Sequence, residues 1–457
     1  MKLSKMALVA AVAWGLYAGQ AQAQQPGAAQ QVAFDYYYYQ PEAPKSPSDA
    51  VGIKAPPAQA PYQAPATGHV CEEAVEEAEC EPWRLFCQKE CGWNVNGWIA
   101  GGIMANFHNP PSGFNGPVTF PDVDWGQMNQ FYWITEKTID TGGCGWDWGG
   151  RVDVLYGSDY IFTQATGLEL HDDGTPHWNG DPYYGLALPQ AYAEVGYNDL
   201  SLKLGHFYTV IGYEVVPATG NFFYTHAYTM QYGEPFTHTG ALATWKYSET
   251  SSLIGGIVNG WDHFDREVDT GAALLGYTWN GGDALSFALT GCFSPNEPIF
   301  FGPLAGTLTN RNVVSFVANY QINDCWSYVY QSDMGWQHDA NAFTPGDAAE
   351  WYGINQYLFY TLNDCWKFGT RFEWFRDDDG ARVSGVRPGN PIAGESFAGN
   401  FFDIAVGLNW TPSANLMVRP ELRYDWFDGD SLGGLRPYDD GTRDDQWLAG
   451  FDVVLLW

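Results

Sequence analysis

From Cys91 to the C-terminus, apolar and polar positions alternate within segments of ten to thirteen residues, and turn-forming residues separate the segments. The alternation is cleanest late in the chain. In 401–410 one face reads Phe402, Ile404, Val406, Leu408, Trp410 and the other Asp403, Ala405, Gly407, Asn409. In 416–427 Leu416, Val418, Pro420, Leu422, Tyr424 and Trp426 oppose Met417, Arg419, Glu421, Arg423 and Asp425, and in 366–375 Trp366, Phe368, Thr370, Phe372 and Trp374 oppose Lys367, Gly369, Arg371 and Glu373. A period of two marks a strand with one apolar face. Strands of about ten residues divided by turns are the pattern of a closed transmembrane barrel.

The connections sharpen this reading. Tight-turn sequences at 198–199, 248–251, 280–283, 323–324, 363–364 and 412–415 alternate with longer stretches near 108–126, 158–186, 212–235, 262–270, 295–311, 338–350, 378–400 and 428–444. Short turns on one side of a membrane and long loops on the other produce this order. It predicts an all-β, antiparallel up-and-down barrel of about 16 strands, from 93–107 to 445–457, with both ends on the short-turn side. The segments at 127–137, 200–211 and 252–261 alternate poorly, so the pattern fixes the count only to within two. Trp146, Tyr197, Tyr247, Trp279, Trp326, Trp366 and Trp410 recur beside short turns, where an interfacial girdle belongs. Gln-Ile-Asn-Asp-Cys-Trp at 321–326 returns as Thr-Leu-Asn-Asp-Cys-Trp at 361–366, and the 40-residue spacing is one hairpin plus one long loop. Propeller blades have a similar period, but their repeat would run through the chain and this one does not.

Composition moves the surface out of water. Only 16% of residues are charged while 17% are aromatic, too few charges for a soluble surface of this size. After the first two dozen positions no apolar run approaches the twenty residues of a spanning helix. The formal charge of −32, from 21 Lys and Arg against 53 Asp and Glu, excludes nucleic acid as a partner.

Residues 1–23 have Lys2 and Lys5, an apolar stretch from Met6 and Ala21-Gln22-Ala23 as a small-residue site, which is the pattern of a cleavable signal peptide for export. Residues 24–70, rich in Pro, Ala and Gln, are expected to be a linker, and 71–91 a short acidic, Cys-rich periplasmic segment ahead of the barrel at 92–457. Export permits disulfides, and Cys71, Cys80, Cys87 and Cys91 are the candidates. Zinc is the rival, although spacings of nine, seven and four lack its usual paired short loops.

The last segment, QWLAGFDVVLLW at 446–457, places Trp447, Phe451, Val453 and Leu455 in phase with a terminal Trp457. It resembles the C-terminal signal by which outer-membrane barrels are recognised for insertion. Together with Gly92-Trp93-Asn94-Val95-Asn96-Gly97-Trp98-Ile99-Ala100-Gly101-Gly102 and Leu204-Gly205-His206-Phe207-Tyr208, it makes residues 92–457 resemble the OmpL-like β-barrel porin family. The resemblance implies an outer-membrane channel passing small hydrophilic solutes or ions, with outer-membrane lipid and the barrel-assembly machinery as partners and a homotrimer as one assembly open to it.

No catalytic constellation stands out, so neither an enzyme nor a cofactor is expected. His171, Asp172, Asp173 and His177 share one long loop and could hold a metal, but a solvated polar loop is the preferred reading and no metal site is expected. The acidic runs lack the spaced ligands of a calcium loop. The informative charges are those on inward faces: Arg151, Asp153, Glu194, Lys203, Lys367, Arg371, Glu373, Arg419, Glu421, Arg423 and Asp425. On a lipid face Arg or Lys costs about 2–4 kcal/mol at mid-membrane, so these side chains belong in a watery lumen. There they either pair across strands or set a transverse field that filters ions. Acids in the long loops (Asp377, Asp378, Asp379, Asp428, Asp430, Asp439, Asp440, Asp444, Asp445) would favour cations at the mouth, whereas Arg371, Arg419 and Arg423 would oppose them. A structural or surface-coat barrel with a closed lumen and cation-binding loops is the alternative to a porin.

Overall fold

The computed structural model describes residues 83–86, 92–181, 183–265, 271–282 and 284–457. The expected signal peptide, linker and four clustered cysteines lie outside the described residues. Sixteen antiparallel strands run in chain order around one closed barrel. They are β1 (Asn94–Asn106), β2 (Gly126–Lys137), β3 (Trp146–Gly157), β4 (Gly185–Tyr197), β5 (Leu200–Tyr208), β6 (Thr237–Lys246), β7 (Ser251–Val258), β8 (Ala272–Asn280), β9 (Leu285–Pro298), β10 (Leu308–Gln321), β11 (Trp326–Gln337), β12 (Ala349–Asn363), β13 (Trp366–Asp377), β14 (Phe397–Ser413), β15 (Leu416–Ser431) and β16 (Asp445–Leu456). Eight long loops join them at one end: loop 1 (107–125), loop 2 (158–184), loop 3 (209–236), loop 4 (259–271), loop 5 (299–307), loop 6 (338–348), loop 7 (378–396) and loop 8 (432–444).

The barrel shuts where β1 pairs with β16, from Trp98 opposite Leu456 to Asn106 opposite Leu448. Gly97 and Trp457 exchange backbone hydrogen bonds of 3.1 and 3.0 Å, so the C-terminal residue closes the last edge. Ahead of β1, the Trp83 N–H donates to Asn415 Oδ1 at 2.8 Å and the Asn415 amide donates back to Trp83 O. Phe86 packs edge-on against Trp133 and Trp457, which ties this stretch to the short-turn rim.

The period of two sorts the wall. Ile103, Leu204, Ile257, Leu275, Ile404 and Phe451 point outward and are exposed, while Arg371, Asp403, Arg423 and Asp425 point inward and are buried. This reverses the arrangement of a soluble protein. Apolar surface running around a whole barrel far exceeds the few hundred Å² that soluble monomers expose. Rings also pair across strands beside the short turns, as in Trp146 with Tyr197, Trp326 with Tyr360 and Trp366 with Trp410. The duplicated hexapeptide has a local cause. Asn323 Oδ1 accepts the N–H groups of Cys325 and Trp326, and Asn363 Oδ1 accepts those of Cys365 and Trp366, all at 3.0 Å. Each Asn replaces a backbone acceptor in the same tight turn.

Several elements are longer than the alternation suggests, β9, β10, β14 and β15 most clearly. β14 begins at Phe397 and β15 runs to Ser431, because Gly399, Asn400, Asp428 and Gly429 pair across the ladder although their types read as loop. β5 instead stops at Tyr208, and the chain from Thr209 turns into the barrel.

Candidate functional site

Loop 3 lies inside the lumen. Its residues Phe223, Tyr224, Ala227, Tyr228, Met230 and Tyr232 are all at most 4% exposed, although they belong to a connection rather than a strand. The stretch includes a 3-10 turn at Ala218–Gly220 and a π-type turn at Thr229–Gly233. Irregular backbone enclosed in a barrel leaves N–H and C=O groups without ladder partners, and each must be satisfied by the wall.

The wall does so with charge. Glu421 accepts the N–H groups of Tyr224 and Thr225 at 2.8 and 2.9 Å. Glu373 accepts those of Tyr228 and Thr229, both at 2.6 Å, together with the Thr229 hydroxyl. Between these two clamps, the loop's own Glu214 accepts the Ala227 N–H at 2.8 Å. Arginines take the opposite pole of the peptide groups. Arg371 donates to Thr225 O, Arg423 to His226 O, and Arg419 to both Ala218 O and Asn221 O, at 2.6–2.9 Å. Acids hold the N–H groups and arginines hold the carbonyls.

The same side chains pair with one another. Arg371 meets Asp403 and Glu214 at 3.1 and 3.0 Å, Arg423 meets Asp425 at 2.7 Å, and Arg419 meets Asp452 at 2.5 Å. On β2 and β3 Arg151 bridges Glu136 and Asp153, and Asp153 accepts the Tyr132 hydroxyl. Lys203 lies opposite Glu194 in register, with its ammonium 4.3 Å from the Tyr192 ring. Lys367 lies opposite Thr361 on the inward face of β13.

Glycines make the seat. A Cβ on Gly353 would fall 2.5 Å from Thr229 Oγ1, and one on Gly369 would fall 2.4 Å from the Phe222 ring. Both glycines point inward from β12 and β13, so the wall is hollowed where loop 3 docks.

Other loops fold in above it. Asn115 and Val118 of loop 1, Val383 of loop 7 and Tyr438 of loop 8 are fully buried. The Tyr228 hydroxyl donates to Asp425 at 2.8 Å and lies 3.0 Å from the Tyr438 hydroxyl, and the Tyr232 hydroxyl lies between Pro117 O and Ser384 O. Arg387 of loop 7 pairs with Asp122 of loop 1. Toward the short turns the inward face is more open, with Lys203, Thr244, Lys246, Ser252 and Lys367 partly exposed and Tyr213 and Phe222 of loop 3 beside that space.

The alternation puts the eleven inward charges on one face of their strands, but it does not reveal that Arg371, Glu373, Arg419, Glu421 and Arg423 hold the backbone of loop 3. Asp377 was expected among the acids of the mouth, but it is fully buried and accepts the N–H groups of Ala381, Arg382 and Val383 at the neck of loop 7. Glu136, Glu214, Glu234, Asp403 and Asp452 were not singled out. A signal for loop 3 was present, because 209–236 carries Tyr213, Phe222, Phe223, Tyr224, Tyr228, Tyr232 and Phe236 against only Glu214 and Glu234, a poor composition for a solvated loop. On the inward wall from β6 to β10, Leu242, Ile254, Leu274, Cys292 and Val313 form an apolar patch, and Ile211 of loop 3 belongs to the same buried cluster. Among the described residues, no three His, Cys, Asp or Glu side chains are arranged to hold a metal ion.

The barrel is similar in fold to an anion-selective porin from Comamonas acidovorans, at 9% identity and a TM-score of 0.53 over 80% of this chain and 99% of that one. It is also similar to OprB of Pseudomonas putida in its high-pH structure, at 12% identity and a TM-score of 0.50 over 80% and 94%. No curated protein matches the sequence. The family model described as "Putative beta-barrel porin-2, OmpL-like" matches residues 92–456. Since that match spans nearly the whole barrel, the chain belongs to the OmpL-like family of β-barrel porins.

Proposed function

We propose that the protein is an outer-membrane porin through which small hydrophilic solutes or ions diffuse passively, without enzymatic chemistry or a cofactor. The observation that carries this reading is loop 3, bound to the wall by paired charges inside a barrel whose outer face is apolar. Such a loop narrows a water-filled barrel and fixes the size of what passes. Residues 1–23 act as the export signal, 24–70 as a linker, and 71–91 as a periplasmic segment. The long loops then face outward, and the barrel-assembly machinery reads the C-terminal strand. The assembly proposed is a homotrimer. Liposome swelling with sugars of increasing size tests the porin reading. Swelling that falls off with solute size supports it, and none with any sugar, from liposomes shown to contain folded barrel, overturns it.

One observation favours the second reading, a structural or surface-coat barrel with a closed lumen and cation-binding acidic loops. Loops 1, 7 and 8 bury Asn115, Val118, Val383 and Tyr438 completely. That packing fills much of the barrel above loop 3. Failure of both swelling and ion conduction is the outcome specific to this reading.

A further inference from the structure

Loop 2 contains a small hairpin that nothing in the pore reading uses. His171 N–H donates to Thr175 O at 2.8 Å and His177 N–H to Glu169 O at 2.8 Å, with Gly174 closing the turn onto His171 O. Leu170 and Pro176 form an antiparallel bridge between them. In such a ladder, alternate residues share a face, which brings 171 and 177 to the same side.

Their rings meet there. His177 Nε2 lies 2.7 Å from His171 Nδ1, the ring centroids are 3.7 Å apart, and the planes stand nearly perpendicular at 85°. His177 Nδ1 faces the Leu168 carbonyl. A carbonyl only accepts, so Nδ1 of His177 carries the proton and Nε2 presents its lone pair toward His171. This is the arrangement that fixes a metal-ligating histidine, with the outer nitrogen hydrogen-bonded to a backbone oxygen and the inner one aimed at the metal. Both side chains are exposed. Asp173, at the tip of the same turn, accepts the Thr175 hydroxyl at 2.6 Å and its N–H at 2.9 Å, which holds the turn between the two histidines.

We propose that His171 and His177 form a two-histidine site for a divalent transition metal of the zinc, copper or nickel class, with water completing the coordination. Imidazole nitrogens select these ions over calcium and magnesium, which take oxygen ligands. Two nitrogens on one tetrahedral zinc stand about 3.3 Å apart, given bonds of roughly 2.0–2.1 Å, so the rings part by about half an ångström to admit the ion. The proton that His171 Nδ1 shares with His177 leaves that nitrogen and is taken up at Nε2 of the same ring. The imidazole therefore stays neutral and changes tautomer. Loop 2 is joined to loop 4 through the Thr166–His263 bridge, so an ion here also stiffens the contact between two loops at the long-loop end.

The test is titration of the purified full-length barrel in detergent with Zn²⁺ alone, and with Cu²⁺ followed by electron paramagnetic resonance. Folding of each variant is checked by heat-modifiable gel migration. Wild type binds one ion at this site, and Cu²⁺ shows splitting from two nitrogens. His171→Ala and His177→Ala each weaken binding by about ten- to a hundred-fold, as loss of a ligand or its support does elsewhere. His338→Ala, in loop 6, leaves it unchanged. Equal affinity and stoichiometry in wild type and the His171→Ala/His177→Ala double variant overturn the proposal. So does binding that appears with Ca²⁺ as strongly as with Zn²⁺.

Discussion

Replacing Glu373 with alanine removes one of the two acidic clamps on loop 3. In the native protein its carboxylate accepts the Tyr228 and Thr229 N–H groups at 2.6 Å each, and the residue is fully buried. Hydrogen bonds to a charged acceptor contribute about 1.5–3 kcal/mol apiece, which gives about 3–6 kcal/mol for two. The freed amides regain some hydrogen bonding once the loop moves, so the lower figure applies, and the local opening free energy falls by about 3 kcal/mol. At 1.4 kcal/mol per factor of ten, amide hydrogen exchange at Tyr228 and Thr229 quickens by about a hundredfold. Strands remote from the Glu373 clamp, such as β8 and β9, keep their protection, which shows that the barrel stays closed. Glu421→Ala serves as the internal comparison, because it frees Tyr224 and Thr225 instead. Native-state exchange read by mass spectrometry on peptic peptides measures both. Unchanged protection of 228 and 229 in the Glu373→Ala barrel would refute the view that wall carboxylates hold the loop.

Three further outcomes are expected. Changing Phe451 and Trp457 to Asp sharply lowers the heat-modifiable, assembled fraction in membranes, because Phe451 faces outward and Trp457 seals the β1–β16 edge; unchanged assembly contradicts the role given to the last strand. Reversal potentials across a tenfold KCl gradient show cation preference at low salt that fades as the screening length shortens toward about 3 Å at 1 M, whereas anion preference at low salt contradicts the weight placed on the loop acids. Non-reducing peptide mapping recovers Cys365 in a disulfide, as it is bonded in the structure, whereas Cys144, Cys292 and Cys325 are free; a free Cys365 thiol would count against it.

The wall was legible because its physics is local. A strand between lipid and a polar interior must alternate at every step, so Arg371, Arg419 and Arg423 announced their face through neighbours such as Phe372, Pro420 and Leu422. The alternation says nothing of what enters the barrel. Loop 3 binds through pairs far apart in sequence, such as Thr229 with Glu373, and through inward glycines such as Gly353 and Gly369 whose purpose appears only once Thr229 and Phe222 sit over them. The strand ends failed for a related reason. Gly399, Asn400, Asp428 and Gly429 have the composition of a loop, yet the ladder between β14 and β15 continues through them because their neighbours hold the register.

If loop 3 narrows a conducting lumen without sealing it, single barrels in a planar bilayer carry ion current. The wild-type protein then gives discrete steps, and the Glu373→Ala/Glu421→Ala double variant, whose loop is no longer held at either clamp, gives larger ones. Folded barrels that insert and pass no current, in wild type and double variant alike, would contradict it.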